Sequence, residues 1–354
     1  MELQKIIDKF NIDSEVVSFS PYGNGHINNT FLIKTISGKR YILQSLNTNV
    51  FRKPEEVMSN ICKVTDFLKT KNPDPRSTMH PINAKDGTFY HIENDIFWRM
   101  YHFIEDTICL ELPEDENDFY ECAMAFGTFQ KHLDDFPVDE LYETIPDFHN
   151  TPVRYNDFLK AVDNNLSGRA NKVLKEIEFV KSRKEFYSVL YDYNKEGKLP
   201  FRVTHNDTKS NNVMLDAKTR KALCVIDLDT IMPGFSVTDF GDAIRFGAST
   251  ASEDEKDLSK VNIDLKFYEA YAKGFIKGCG GLLKEDEIML LPEGAKMMTI
   301  ECGMRFLADY LNGDTYFKTA YPEHNLDRCR TQFKLVEEME NNWAEMKQII
   351  KNLI

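Results

Sequence analysis

One stretch, residues 201–246, constrains the fold more than any other part of the chain. Two short apolar, β-prone runs, 213–215 and 222–226, flank a polar, turn-like segment, and this pattern is typical of a β-hairpin. A hairpin brings the start of its first strand beside the end of its second strand. We therefore expect Asn212 and Asp227 to converge at the open end of the hairpin.

Two further carboxylates belong to the same predicted cluster. Asp207 lies just upstream, and Asp229 lies two residues beyond Asp227, on the same side of an extended chain. Such a cluster is unfavourable unless a cation or a proton occupies it. Because carboxylate and amide oxygens are hard ligands, they favour Mg²⁺ bridged to substrate phosphates. The predicted metal ligands are Asn212, Asp227 and Asp229, and Asp207 is the predicted catalytic base for a substrate hydroxyl.

The spacing of these residues resembles a known catalytic loop. His205, Asp207 and Asn212 follow the H-x-D-x4-N pattern of kinases, and the segment 227–229 stands where protein kinases carry D-F-G. The D-x-D form is similar to that of the aminoglycoside phosphotransferase and choline kinase superfamily. The resemblance implies a bilobal, protein-kinase-like α+β fold, with an antiparallel-sheet N-lobe and a mostly helical C-lobe. It also implies that ATP binds between the lobes with Mg²⁺.

Three runs carry a finer resemblance: 207–212, 225–230 and 238–242. They are most similar to those of the N-acetylhexosamine 1-kinases, and the likeness extends from Tyr22 to the C-terminal helix. It implies transfer of the γ-phosphoryl group of ATP to the anomeric 1-hydroxyl of N-acetylglucosamine or N-acetylgalactosamine. In the superfamily the later aspartate, Asp239 here, usually braces the catalytic loop, and a helix N-cap is the alternative for this residue.

Two other functions remain open at this stage. The first is another small-molecule kinase of the superfamily, acting on choline, ethanolamine, homoserine or an aminoglycoside. The second is a catalytically silent, nucleotide-binding regulator, which only Gln44 suggests. Only 12 positions separate Asp227 from Asp239, which leaves no room for a long activation segment, so a protein substrate is disfavoured.

Composition narrows the class of protein. The 354 residues carry a formal net charge of −13, which disfavours a nucleic-acid partner. No apolar run approaches membrane-spanning length, so we expect no membrane partner. The seven cysteines are scattered singly, as is typical of reduced thiols in a cytoplasmic protein. We expect a monomer or a weak dimer.

Residues 1–104 are the predicted N-lobe, which covers the nucleotide. Gly23, Asn24 and Gly25 lie between two strand-like runs, and we expect this turn to cover the phosphates of ATP. A hairpin turn without a ligand is the alternative. Gln44 occupies the strand position where a kinase places the lysine that binds the phosphates.

The cation that replaces this lysine is not identified by the sequence. Lys34, Lys39 and Arg40 are candidates, and a larger share of the work by the metal is the alternative. At the end of the sheet, where a kinase has its hinge, Tyr101 and Phe103 are the predicted adenine contacts.

Residues 105–354 are the predicted C-lobe, which holds the acceptor pocket. By resemblance to the N-acetylhexosamine kinases, Arg305 and Tyr316 are candidate sugar contacts. Trp343 belongs to the apolar face of the last helix, which favours a core position, and a place at the pocket mouth, where an indole can stack on a sugar ring, is the alternative. An ion-pair ladder through Glu301, Arg305 and Asp309 is the alternative, because these residues are spaced at i, i+4 and i+8 on a helix.

Overall fold

The computed structural model describes residues 2–23 and 28–354, and its chain folds into two compact units. The first unit comprises Met1–Ile108, Asp135–Ile145 and Met214–Met232; the second comprises Cys109–Asp134, Pro146–Val213 and Pro233–Ile354. The opening segment of the first unit ends at Ile108, and the lobe boundary expected after residue 104 stays a prediction. Two later segments, which the sequence assigned to the C-lobe, pack with this first unit.

The first unit contains a five-stranded antiparallel sheet in the order β1-β2-β3-β5-β4. Its strands are β1 (Val16–Pro21), β2 (Asn29–Thr35), β3 (Arg40–Leu46), β4 (His91–Glu93) and β5 (Ile96–His102). The link between β4 and β5 is a two-residue turn, Asn94-Asp95, in which both residues have positive φ. Asn and Asp tolerate this conformation, so the turn matches the twist of the flanking strands. The antiparallel sheet predicted for the N-lobe is confirmed.

The two faces of this sheet have different neighbours. One face packs its apolar side chains, such as Leu43 and Met100, with Ile6 and Ile7 of the short helix α1 (Glu2–Ile7). The other face carries Tyr101, whose hydroxyl lies 4.0 Å from the sulfur of Met58 on helix α2 (Pro54–Lys71). The helix that begins at Pro54 therefore packs on the second face.

The predicted hairpin also forms. Strands β8 (Val213–Asp216) and β9 (Ala222–Val225) are neighbours in a three-stranded sheet with β6 (Thr107–Cys109), and strand β7 (Arg202–Thr204) pairs with β10 (Met232–Gly234). The helix α2 contacts the segment after β9 through Asn60, whose buried amide donates to the Ile231 carbonyl at 3.0 Å. This bond ties the segment that carries Asp227 and Asp229 to α2.

The second unit is mostly helical. Its helices are α3 (Glu116–His132), α4 (Thr151–Asn164), α5 (Leu174–Lys181), α6 (Val189–Lys195), α7 (Ser236–Gly247), α8 (Leu265–Cys279), α9 (Glu285–Met289), α10 (Leu291–Asn312), α11 (His324–Asn341) and α12 (Trp343–Lys351). The α+β class is thus confirmed. No helix in the described part of the chain is both long and apolar enough to cross a membrane.

Helix α7 lies at the centre of the second unit and approaches α10 very closely. A Cβ atom added at Gly241 of α7 would lie 2.2 Å from the carbonyl oxygen of Gly294 on α10. Glycine is therefore required for this contact, since real Cβ atoms do not come so near to backbone. Almost every residue of α7 is buried, including Asp239 and Asp242. The packing fixes the position of these two carboxylates.

Candidate active site

The catalytic-loop backbone is held by Asp239. Its buried carboxylate accepts hydrogen bonds from the N–H groups of His205 at 2.9 Å and Asn206 at 2.8 Å, and from the Gln130 amide at 3.0 Å. Burial raises the pKa of Asp239 above its usual value, although these donors and His205 act in the opposite direction. The N-cap of α7 is Phe235, so Asp239 braces the loop and does not cap the helix.

Asp242, one turn further along α7, holds the next part of the loop. It accepts from the N–H of Thr208 at 3.0 Å and from the Arg245 guanidinium at 2.9 and 3.1 Å. Burial raises the pKa of Asp242, but the nearby charges of Arg245 and Lys209 outweigh burial and lower it overall. Two acids of one helix thus fix the loop on both sides of Asp207.

Asp207, the predicted base, is 28% exposed and lies among polar groups of its own loop. Lys209 Nζ is 2.8 Å from Asp207 Oδ1, and the Asn212 amide donates to the Asp207 carbonyl at 2.8 Å and to Oδ2 at 3.2 Å. Burial lowers the pKa of Lys209, but the charge of Asp207 raises it above the usual value. The structure therefore brings Asp207 and Asn212 together and adds a cation, Lys209, which the sequence analysis left without a role.

A second pair of residues, Glu301 of α10 and His149, supports the catalytic loop. The sequence does not predict this pair. Glu301 is fully buried, and His149 Nδ1 lies 2.8 Å from its Oε1, while the Thr151 hydroxyl donates to Oε2. His149 Nε2 lies 3.2 Å from the Asn206 carbonyl oxygen. Burial raises the pKa of Glu301, but the hydrogen bond and charge of His149 lower it overall. No local pattern could reveal this pair, because its members are 152 positions apart.

The alternative of an ion-pair ladder on α10 is wrong. Glu301 binds His149 and Thr151, and Asp309 accepts from the backbone N–H groups of the loop that follows α10, at 2.8 to 3.0 Å. That loop is residues 315–317. Asp309 therefore shapes the loop that carries Tyr316. Arg305 contacts other residues.

Arg305 lies against aromatic rings. Its guanidinium carbon is 5.4 Å from the ring centroid of Phe148, 5.8 Å from that of Tyr316 and 5.6 Å from that of Phe317. The Arg154 guanidinium donates to the Phe148 carbonyl oxygen at 3.2 Å. The predicted sugar contacts Arg305 and Tyr316 are therefore neighbours in one aromatic cluster. Phe148 of this cluster directly precedes His149 in the chain.

Trp343 is not part of this cluster. Its ring lies beneath the ammonium groups of Lys296 at 5.5 Å and Lys347 at 5.1 Å. Lys296 and Arg305 are nine positions apart on α10, which corresponds to roughly 13 Å along a helix axis. The structure thus places Trp343 near the other end of α10, and a role in sugar stacking stays a prediction without support from this placement.

The turn that is predicted to cover the nucleotide lies only partly within the described residues. Gly23 has φ +75°, a conformation that favours glycine, whereas the predicted contacts Asn24 and Gly25 lie outside the described residues. Tyr101 is buried, and the Phe103 N–H donates to the Arg40 carbonyl at 3.1 Å. The adenine contacts at Tyr101 and Phe103 stay predictions.

Gln44 belongs to a hydrogen-bonded row across three strands. Thr30 pairs with Gln44 and Gln44 with Arg99 in the strand register. The Gln44 amide donates to Thr30 Oγ1 at 3.1 Å, and Gln44 Oε1 accepts from Arg99 Nε at 3.1 Å and Nη2 at 2.9 Å. Arg99 is 1% exposed and also binds both carboxylate oxygens of Asp229, with Nη2 to Oδ2 at 2.9 Å. No sequence motif marks Arg99.

The predicted metal ligands offer the expected donor atoms. Asn212 uses its Nδ2 on Asp207, which directs its Oδ1 away as an acceptor. Asp227 follows β9 with φ +59°, and Asp229 accepts from Arg99 and also from Asn28 at 2.8 Å. Within the described ranges, no group of three or more His, Cys, Asp or Glu side chains is placed to hold a metal. The Mg²⁺ site therefore stays a prediction, supported by an amide and carboxylates of the right chemistry.

The fold and the braced H-x-D loop define a kinase-like phosphotransferase. Residues 18–273 match the model of the phosphotransferase enzyme family known as APH. The chain belongs to this family, and it is a small-molecule kinase of the aminoglycoside phosphotransferase and choline kinase superfamily.

Several solved structures share this fold. A microcompartment-associated aminopropanol kinase superposes with a TM-score of 0.67 at 14% identity, covering 98% of both chains. An aminoglycoside phosphotransferase from Alicyclobacillus acidocaldarius gives 0.63 at 11% identity, covering 99% of this chain and 96% of that one. An amicoumacin kinase gives 0.62 at 12% identity, covering 97% and 93%. At such identities the likeness shows the fold.

Proposed function

We propose that the protein transfers the γ-phosphoryl group of ATP to the anomeric 1-hydroxyl of N-acetylglucosamine or N-acetylgalactosamine, giving the sugar 1-phosphate. The family assignment supports the reaction class, and the runs at 207–212 and 225–230 resemble those of N-acetylhexosamine kinases. The amicoumacin kinase structure contains AMP-PNP and Ca²⁺, which supports ATP and a divalent cation as the co-substrate and cofactor here.

Asp207 is the proposed catalytic base. Its carboxylate is oriented by Lys209 and Asn212 and remains partly exposed, so an acceptor hydroxyl can approach it. As the hydroxyl oxygen attacks the γ-phosphorus in line, its proton passes to Asp207, and the bond to the β–γ bridging oxygen breaks to release ADP.

Asn212 Oδ1 and the Asp227 carboxylate are the proposed metal ligands. When bound, Mg²⁺ would neutralise the β- and γ-phosphate charges in the transition state. The third predicted ligand, Asp229, would have to bind the metal while accepting from Arg99 and Asn28, so we keep it as a prediction outside the proposed minimal set.

One observation carries the choice of acceptor: two arginines surround Phe148. The next residue in the chain, His149, contacts the catalytic loop. Arg154 binds the Phe148 carbonyl, Arg305 lies over its ring, and His149 contacts Asn206, which precedes Asp207. Burial lowers the pKa of Arg154, and the neighbouring charge of Arg305 lowers it further. Two such cations repel an ammonium-bearing acceptor, whereas arginine and aromatic side chains suit a neutral sugar.

The structural neighbours define the second candidate. Their names include an aminopropanol kinase and an ethanolamine kinase, enzymes named for amino alcohols. A cationic amino alcohol is therefore the acceptor class to test against the sugars. The paired arginines at Phe148 favour the sugar.

The test is Mg²⁺-dependent ADP release over a panel of acceptors: N-acetylglucosamine, N-acetylgalactosamine, glucose, choline, ethanolamine, homoserine and kanamycin. Activity on the N-acetylhexosamines, with phosphate at carbon 1, would support the proposal. Activity restricted to the ammonium-bearing acceptors would overturn the sugar assignment and leave the reaction type intact. ATP binding without ADP release for any acceptor would favour the silent regulator.

A further inference from the structure

We propose that Arg99, on strand β5, is the cation that binds the ATP phosphates in place of the lysine missing from position 44 of β3. The proposal rests on the proposed kinase function and concerns residues of the first unit alone. The sequence leaves open which cation replaces the lysine, because Gln44 carries no charge. Its candidates are Lys34, Lys39 and Arg40.

The geometry excludes those three candidates. Arg40 is paired with Glu105, and Lys39 with Asp13, at positions that are partly exposed. Lys34 is exposed on β2. In the strand register Lys34 lies opposite Arg40, four residues along β3 from Gln44. None of these side chains has a described contact with Gln44 or Asp229.

Arg99 is placed where the lysine would act. It is the direct cross-strand neighbour of Gln44, and two of its nitrogen atoms donate to Gln44 Oε1. A lysine at position 44 would bring its ammonium into the region that the Arg99 guanidinium now occupies. The glutamine is therefore an acceptor that holds the arginine, and the positive charge has moved one strand along the sheet.

Asp229 supplies the anionic partner that a kinase lysine normally finds in a glutamate of the helix beside the sheet. Here the first-turn acid Glu56 of α2 is paired with Lys53, whereas Asp229 binds Arg99 through both oxygens.

The same pair connects the elements that should surround the phosphates. Asn28, the first described residue after the glycine-rich turn, donates to Asp229 Oδ2 at 2.8 Å and accepts from the Asn47 N–H at 3.0 Å. Four of the five N–H groups of Arg99 donate to Gln44 and Asp229. Among the described residues no acceptor is recorded for the fifth, on Nη1, so it can donate to a phosphate oxygen. A guanidinium that is fixed in this way can bind an oxyanion without losing further side-chain freedom.

Calorimetric titration of AMP, ADP and ATP tests the assignment without turnover. The first variant is R99Q/D229N, which replaces the ion pair with two amides and leaves no unpaired buried charge. We expect its affinity for ATP and ADP to fall about tenfold or more, the scale of one charge-assisted hydrogen bond, with AMP affinity nearly unchanged. The matched control is R76Q/D216N, which makes the same exchange at another arginine–aspartate pair of the first unit, 3.0 Å apart, and should bind all three nucleotides like the wild type.

A rescue variant makes the test specific to charge. Q44K/R99Q moves the cation to β3 and keeps Asp229 paired, so we expect it to recover ATP affinity relative to R99Q. Equal losses for AMP, ADP and ATP in R99Q/D229N, wild-type affinities in that variant, or no recovery in a folded Q44K/R99Q protein would each overturn the assignment. Failure of the wild type to bind ATP at all would instead overturn the proposed function, so the two failures are distinguishable.

Discussion

Asp239 Oδ1 accepts a hydrogen bond of 2.8 Å from the backbone N–H of Asn206, which has a left-handed φ of +65°. Asparagine tolerates this conformation better than most residues, but it still costs free energy. The bond to a buried carboxylate offsets that cost and turns the chain so that Asp207 leaves the loop toward solvent. Helix α7 therefore positions the loop that carries Asp207, the proposed base.

Replacing Asp239 with alanine should destabilise the protein and disable the loop. The His205 and Asn206 N–H groups would be left buried without this acceptor, which should lower the free energy of unfolding by about 2–4 kcal/mol. Urea unfolding measures the loss. Asp163→Ala, at an exposed position of α4, is the control and should change stability by less than about 0.5 kcal/mol. Equal stabilities for the two variants would refute the bracing role.

Replacing Asp207 with asparagine should abolish turnover and spare nucleotide binding. The amide fills the same space but cannot take a proton, so kcat should fall by about 10²- to 10⁴-fold. Steady-state kinetics and ATP titration on the same preparation measure both quantities. If Asp207→Asn retained wild-type kcat, Asp207 would not be the base, and if it lost ATP affinity in equal measure, its role would be binding.

Replacing Arg305 with methionine should weaken the acceptor and not the nucleotide. The guanidinium packs on Phe148 and Tyr316, so its loss should raise the acceptor KM about tenfold, with the KM for ATP unchanged. Trp343→Phe is the comparison, because Trp343 lies against Lys296 and Lys347 instead. A rise of the acceptor KM in Trp343→Phe alone would place the sugar at the other end of α10.

The buried Glu301 should make stability depend on acid pH. Its pKa is lowered from 4.5 in the folded protein, so the carboxylate contributes stability above pH 4.5 that is lost as the pH falls through the folded pKa. The difference in unfolding free energy between wild type and Glu301→Gln should therefore shrink below pH 4.5. Urea unfolding across the acid range measures it. Glu285→Gln, at an exposed position, should show no such trend, and a constant difference for Glu301→Gln would contradict the prediction.

The parts of the fold that sequence predicted are those with local patterns. The strand-like runs, the hairpin within residues 213–226 and the H-x-D-x4-N spacing each depend on residues that lie close together in the chain. The apolar repeat through residues 172–193 is typical of a helix, whereas the structure divides this segment into α5 and α6 with a short 3-10 helix between them. The apolar residues marked a buried face, but the pattern could not show where the helix would break.

The missed residues of the site depend on distant partners. Gln44 and Arg99 are 55 positions apart, and Arg99 and Asp229 are 130 apart. A buried arginine in a strand looks like any charged residue until its partners are known. The sequence therefore shows that position 44 lacks the usual lysine but does not locate the proposed replacement. Arg99 becomes apparent only from the strand register, which places it opposite Gln44.

The most direct test of the central claim is phosphorus NMR of the product formed by the wild-type protein from Mg-ATP and N-acetylglucosamine. The account predicts a new phosphomonoester resonance coupled to the anomeric proton, equal in amount to the ADP formed, and its absence with Asp207→Asn. Phosphate on any other hydroxyl, or product from ethanolamine and none from either N-acetylhexosamine, would contradict the assignment of the acceptor.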